Sequence, residues 1–394
     1  MIQFKNIFKI GLLLLGGSSL FVQGFTQTTR TNKKNGGYTF TSEVEVGNTS
    51  VKDQCRTGTC WSFSTLSFFE SEIIRSGKEP VDLSEMFIVR NVYLKKAEKY
   101  VRMHGHINFA AGGAFHDVLA IIDEFGIVPN EEYTGLVNGQ KKHNHADMDN
   151  VLKSYLDAII KNDNGPINPD WKIGFNAILD IYLGKVPANF SYKGKTYTPK
   201  SFAEYLGIQA KNYIEVSSFT HHPFYSSFVI EIPDNWMWGQ VYNVPLSDLE
   251  QILEYSLKNN YSIAWASDVS EKGFSFSDGL AIVPPAGWED LSKSERASAF
   301  EKPATEQEIT QEKRQLAFDN YQTQDDHGMH IVGLAKDQNN QKYYYVKNSW
   351  GSADNDLNGY FYASRNFVLY KTTCLMVNIN GVPKDILKKL KVTP

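Results

Sequence analysis

The segment Gln54-Cys55-Arg56-Thr57-Gly58-Thr59-Cys60-Trp61-Ser62-Phe63-Ser64 sets a thiol at the start of an apolar helical pattern, directly after Gly58-Thr59. A thiol at a helix N-terminus feels the positive end of the helix dipole, which favours the nucleophilic thiolate. Thr59 is a natural N-cap there. Gln54 lies upstream on a glycine-containing loop and can fold its amide back toward the same point. An amide donor together with the Cys60 backbone N–H makes an oxyanion hole. The bland alternative is a buried structural cysteine, as most free cysteines are. Two downstream segments weigh against it. Asp326-His327-Gly328-Met329-His330 places a histidine just before a strand, and Lys347-Asn348-Ser349-Trp350-Gly351 places an asparagine at the end of the next one. Adjacent antiparallel strands joined by a short turn bring His327 and Asn348 side by side. A nucleophilic cysteine needs a base within hydrogen-bond reach, and the base needs a third group to fix its ring. Asn348 can fix the tautomer without adding charge, and Trp350 can shield that hydrogen bond from water.

The elements that must position these groups are legible in the periodicity. Apolar residues recur at helical spacing over 60–76, 84–102 and 114–125, with Gly77 and Gly126 as stops. A further helix is expected over 247–259, opened by the Ser247-to-Glu250 capping-box pattern. Strands are expected at Tyr261–Trp265, Gly279–Val283, Met329–Ala335, Lys342–Lys347, Gly359–Ala363 and Cys374–Ile379. Helices first and strands last predict an α+β chain with a helical half and an antiparallel half, not a doubly wound parallel sheet. Residues 25–40 are polar and read as a flexible lead-in. Residues 137–240 and 285–320 change character and read as insertions into a single domain spanning 41–394, the first and larger one a helical subdomain.

Composition agrees with a catalytic globule. The chain has 394 residues with 42% hydrophobic and 21% charged residues, which excludes disorder and fibrous repeats. A net charge of −4 argues against a nucleic-acid binder. Three cysteines, Cys55, Cys60 and Cys374, cannot make a disulfide framework. Lys5 and Lys9 before the apolar run Ile10–Val22, with small residues ahead of a break after Gly24, read as a secretory signal over 1–24. Export to the periplasm or the outside follows as an expectation, with no membrane span in the mature chain. The pairs His104/His106, His143/His145 and His221/His222 invite a metal reading. None has a matching set of cysteine or carboxylate ligands or a His-Glu-x-x-His spacing, so no metal is assigned.

At this point the chain resembles a known superfamily. Gln54, Cys60-Trp61-Ser62-Phe63-Ser64, Asp326-His327 and Asn348-Ser349-Trp350-Gly351 are similar to the papain superfamily of cysteine peptidases, as are Leu83-Ser84-Glu85 and the diglycine Gly112-Gly113. The segments from Tyr93 to Lys99, Thr220 to Tyr225, Ile230 to Trp236 and Trp265 to Phe274 resemble its aminopeptidase C and bleomycin hydrolase subgroup. The likeness runs from about residue 45 to 390. It implies a papain-like fold, with Cys60 as nucleophile, His327 as base, Asn348 as orienter and Gln54 as oxyanion donor. Gly112, Gly113 and Asp268 are implied as substrate-binding, peptides as substrates, no cofactor, and a homo-oligomer, hexameric in the subgroup. The family spacing of six residues from histidine to glycine, here to Gly333, selects His327 over His330. Its aminopeptidase specificity comes from a C-terminal arm lying in the cleft. Here Gly381–Leu390 resembles the approach to that arm, and the short remainder to Pro394 is expected to reach the mouth of the cleft. An endopeptidase or dipeptidyl peptidase is the alternative, and a silent peptide-binding homologue a further one.

Overall fold

A computed structural model describes residues 28–161, 165–285 and 287–393. The expected leader, residues 1–24, lies outside them. Helices Cys60–Arg75, Glu85–Arg102 and Phe115–Phe125 share one apolar core through residues such as Phe68, Phe87 and Val118. Their starts and stops are local. The Ser84 hydroxyl accepts the Phe87 N–H at 3.0 Å, and Gly126 takes φ 89° to end the third helix. Ala146–Ile160, Trp171–Leu183 and Pro199–Leu206 add Leu152, Phe175 and Phe202 to the same core.

The other half is a 12-stranded sheet centred on His327–Asp337. That strand pairs antiparallel with Ile263–Ser267 on one side and Lys342–Lys347 on the other. Beyond Lys342–Lys347 lies Tyr360–Ser364, and beyond Ile263–Ser267 lies Thr372–Asn378, all antiparallel. Among the described strands of this sheet, Leu280–Ala281 on Tyr360–Ser364 and Tyr213–Ser217 on Gln240–Asn243 pair in parallel. The helix Leu246–Lys258 covers a second core that includes Leu253, Trp265 and Phe361. The mixed, mainly antiparallel architecture agrees with the α+β expectation.

Four expectations are corrected. The lead-in is not flexible over its described part. Thr29–Thr31 and Thr39–Glu45 are strands, the second paired with His327–Asp337, and Phe40 is fully buried against the ring of Tyr362 at 3.8 Å. The helix near 250 starts at Leu246 after Pro245, because the Gln311 side chain accepts the Leu246 N–H at 2.7 Å while Glu250 is taken by Arg365. The 137–240 stretch is not wholly an inserted helical subdomain. From Tyr213 the chain returns to the main sheet, adding Tyr213–Ser217, Ser227–Val229 and Gln240–Asn243. Finally, the C-terminal helix Lys384–Leu390 does not approach the cleft described below. Ile386, Leu387 and Leu390 are buried in the second core, and Lys389 reaches Asp248 at 3.2 Å. The tail is drawn there by its own apolar face.

One buried cation ties the 285–320 stretch to the sheet. Arg314, on helix Gln311–Asp319, is 1% exposed and has no carboxylate partner among the described residues. Its guanidinium donates to the carbonyls of Ser218, Leu369 and Thr372, and lies over the Phe219 ring. Several carbonyl acceptors replace the water that burial removes.

Candidate active site

Cys60 opens its helix as the sequence predicts, but Thr59 does not cap it. The Thr59 hydroxyl instead bonds that of Thr57 at 2.6 Å, within the loop that carries Gln54. That loop is stitched to the asparagine strand. The Gln54 N–H donates to the Ser349 carbonyl at 2.8 Å, and the Ser349 hydroxyl donates to Gln54 Oε1 at 2.6 Å. With Oε1 so engaged, the amide orientation is fixed. Nε2 then gives one hydrogen to the Thr57 carbonyl at 2.9 Å and keeps a second for the cleft.

His327 Nε2 lies 2.7 Å from Asn348 Oδ1. The same oxygen accepts the Ser349 N–H at 2.8 Å, so the asparagine presents its carbonyl and the imidazole carries its proton on Nε2. Nδ1 is the nitrogen left for a thiol. The Trp350 ring lies 4.7 Å from the imidazole and covers the hydrogen bond. Strand alternation explains which histidine faces which way. Gly328 and His330 face the body of the Cys60–Arg75 helix at Ser64 and Ser67, while His327 faces Asn348 and Trp350 in the cleft that Cys60 lines. His330 Nδ1 bonds Ser67 Oγ at 2.9 Å, and the side chain is 1% exposed. Burial holds it well below the ordinary imidazole value, in a packing role.

Gly328 is required by the approach of strand to helix. A Cβ there would lie 2.7 Å from Ser64 Oγ and 3.3 Å from the Trp61 backbone. Gly328→Ala should therefore push His327 off Cys60 and lower kcat/KM by roughly a hundredfold, as a misplacement of about 1 Å does. Peptide hydrolysis assays on the folded variant check it, with a melting temperature lowered in keeping with an overpacking cost of about 1–3 kcal/mol.

Cys60, Gln54, His327, Gly112 and Gly113 all line one cavity of about 340 Å³. Trp61 donates its indole N–H to the Ala111 carbonyl at 3.0 Å, and a Cβ on Gly113 would touch its ring at 2.9 Å. The diglycine thus lies flat against the helix and offers backbone to the cleft. The Gly112 carbonyl already carries one donor, the buried Lys96 ammonium. Asp268 is a correction. It does not line the cleft, and its Oδ2 accepts the Gln324 N–H at 2.8 Å. It holds the turn that delivers Asp325, Asp326 and His327.

Burial pushes the Cys60 thiol up to about 12, and the Asp325 and Asp234 carboxylates push the same way. The backbone N–H groups of Gly328 and Trp61 oppose them. Desolvation therefore outweighs those two N–H groups. Burial also lowers His327, while the bond to Asn348 and the Asp326 charge raise it. Cys60 and His327 line the same cleft, where a neutral imidazole is able to accept a thiol proton. Sequence reasoning passed over Asp234 and Asp325 as site residues. Asp325 showed only as a neighbour of Asp326, and Asp234 only inside a longer segment.

Outside the cleft, His221, His222 and Glu231 offer ligand atoms within 4.8 Å of one another. Glu231 is the carboxylate that the sequence did not bring to the histidine pair. Gln315 bears on whether they could hold a metal. Its Oε1 accepts the Thr220 N–H and its Nε2 donates to Asp319 and to His221 Nδ1 at 2.9 Å. His221 Nε2 therefore carries the proton and donates to Glu231 at 2.8 Å, which leaves it no lone pair for a cation. The three free cysteines stay unpaired.

A model described as papain family cysteine protease matches residues 41–163, and one described as Peptidase C1-like family matches 185–394. The chain is 24% identical over 389 residues to "Aminopeptidase C" of Lactococcus lactis subsp. cremoris, covering 87% of this chain and 84% of that protein. It is 22% identical over 401 residues to "Aminopeptidase G" of Lactobacillus delbrueckii subsp. lactis, covering 90% and 86%. The crystal structure of PepW from Lactobacillus rhamnosis superposes with a TM-score of 0.69 at 18% identity, over 89% of this chain and 84% of that one. With more than half its length matched, this chain belongs to the Peptidase C1-like family and is a papain-like cysteine peptidase.

Proposed function

We propose that the protein is a cysteine aminopeptidase in which Cys60, His327 and Asn348 act as one unit. The observation that carries this is the 2.7 Å bond from His327 Nε2 to Asn348 Oδ1 beside the cleft that Cys60 lines. In the reaction, Cys60 Sγ attacks the scissile carbonyl while His327 Nδ1 takes its proton. The oxyanion settles between the Cys60 N–H and Gln54 Nε2. His327 returns the proton to the departing amine, leaving an acyl thioester. Water, deprotonated by His327, then releases the acid and the thiol. Asn348 holds the ring through both halves and takes no charge.

Removal of N-terminal residues, as opposed to internal cleavage, is supported by the names of relatives spanning most of this chain, aminopeptidases C and G. The test is digestion of one peptide with a free and with an acetylated N-terminus, followed by sequencing of the products. Stepwise loss of single residues from the free peptide alone supports the assignment. Equal internal cutting of both would establish an endopeptidase instead.

A further inference from the structure

We propose that the carboxylates of Asp325 and Asp234 bind the protonated α-amine of the residue whose carbonyl Cys60 attacks, and so select substrates with a free N-terminus. This rests on the aminopeptidase assignment above and names the group that would enforce it.

The wall of the cleft is one-sided in charge. Glu215, Asp234, Asp325 and Asp326 line it, and no lysine or arginine does among the described residues. Two of the four are already satisfied. Glu215 is paired with His116 Nδ1 at 3.1 Å, an imidazole that carboxylates raise to about 9 against the pull of burial, so the pair is charge-neutral. Asp326 accepts the backbone N–H groups of Val269 at 2.8 Å and Ser270 at 3.0 Å. Asp326 thus has both oxygens engaged, whereas the other two each have one oxygen with no hydrogen-bond donor among the described residues. Asp325 accepts the Thr373 hydroxyl, and Asp234 accepts Asn108 Nδ2 at 2.9 Å. Neither makes an ion pair among the described residues. Lys96 is near enough to Asp234 to lower it, but its ammonium is committed to the carbonyls of Ala110 and Gly112.

Asp325 and Asp234 line the same partly desolvated cleft, where like charges repel. Asp325 is pushed up to about 7, by burial first and by Asp234 among its neighbours. A cation between them removes that cost. The place suits an α-ammonium. Both carboxylates line the cleft that Cys60 lines, and Asp234 Oδ2 packs on the diglycine, 1.9 Å from where a Cβ on Gly112 would sit. An extended residue spans only about 3.3–3.6 Å, which keeps the α-nitrogen of the attacked residue close to the Cys60 sulfur. A lysine or arginine side chain would carry its charge several bonds further off. Ile230, Ile232 and Phe115 supply apolar wall around the pair, which strengthens the attraction. Binding the ammonium also cancels the charges that hold the thiol protonated, so the correct substrate aids formation of the nucleophile.

The experiment compares kcat/KM for a short peptide with a free and an acetylated N-terminus, in the full chain and in Asp325→Asn and Asp234→Asn. The unsubstituted enzyme should prefer the free amine. Each variant should lose about 10- to 100-fold on the free peptide, the range for a hydrogen bond to a charged group, with a much smaller change on the acetylated one. Alkylation of Cys60 by iodoacetamide reports the fold independently. It should run faster in both variants than in the unsubstituted enzyme, because each removes a charge that disfavours the thiolate. If the free-amine preference persists in both variants, the anchor lies elsewhere and the proposal is overturned while the aminopeptidase assignment stands. If the unsubstituted enzyme cuts both peptides equally, the aminopeptidase assignment itself falls. If a lysine side chain in an acetylated peptide restores the rate and Asp325→Asn removes that gain, the pair reads side chains and the proposal is overturned.

Discussion

Cys60→Ala is expected to lower peptide hydrolysis on the order of a million-fold, to the background rate, as removal of a nucleophile from a coupled hydrolytic unit does. The expectation is sharp because the other two thiols are placed differently. Cys55 sits in the left-handed region at φ 55° outside the cleft, with its sulfur 3.5 Å from the Asp53 carbonyl. Cys55→Ala should keep its activity. Cys374 is the closer competitor, since it lines the same cleft. Its sulfur lies 3.3 Å from Glu215 Oε2, and burial and that carboxylate both push the thiol well up. A thiol donating to a carboxylate is a poor nucleophile, so Cys374→Ala should leave hydrolysis measurable. Steady-state assays on the three purified variants decide the ranking.

His327→Ala should cost nearly as much, on the order of 10⁴-fold or more in kcat. The double variant with Cys60→Ala should be no worse than Cys60→Ala alone, because the two act as a unit. His330→Ala should leave kcat within about tenfold and appear mainly as a lower melting temperature, since it removes a packed ring and its bond to Ser67. The pH profile carries the same assignment. A base must be neutral to accept the thiol proton, and burial holds His327 below the usual imidazole value of 6.5. Activity should therefore persist below pH 6.5 and fall only as pH drops through the lowered value. Asn348→Ala, which removes the bond that raises His327, should move this acid limb further down. An acid limb above 6.5 would identify a different base.

Much of this site was legible in the chain because its groups sit at the ends of regular elements. Cys60 begins an apolar helix, and the Lys342–Lys347 strand leads straight into Asn348. The choice of His327 over His330 rested on a resemblance, yet the physical reason is strand alternation, with Gly328 and His330 facing the helix. What stayed hidden depends on contacts distant in sequence. The Ser247 capping pattern is a sound local signal, but Gln311 supplies the bond that starts the helix one residue after Pro245. Asp268 looked like a cleft residue because it lies among family-like neighbours, while its partner, the Gln324 N–H, is set by tertiary folding. The Tyr38–Phe40 alternation was a strand signal within a polar stretch, and the threonines and lysines around it masked it. Asp234 and Asp325 line one cleft only because two loops far apart in sequence fold against it, and no spacing rule joins them.

The most direct test of the account is covalent labelling of the resting enzyme with a thiol-directed peptidyl epoxide, followed by peptide mapping in a mass spectrometer. One adduct per chain on Cys60, with loss of activity in proportion and with labelling sharply slowed in His327→Ala, is the predicted result. An adduct on Cys55 or Cys374 that inactivates the enzyme while Cys60 remains free would contradict it.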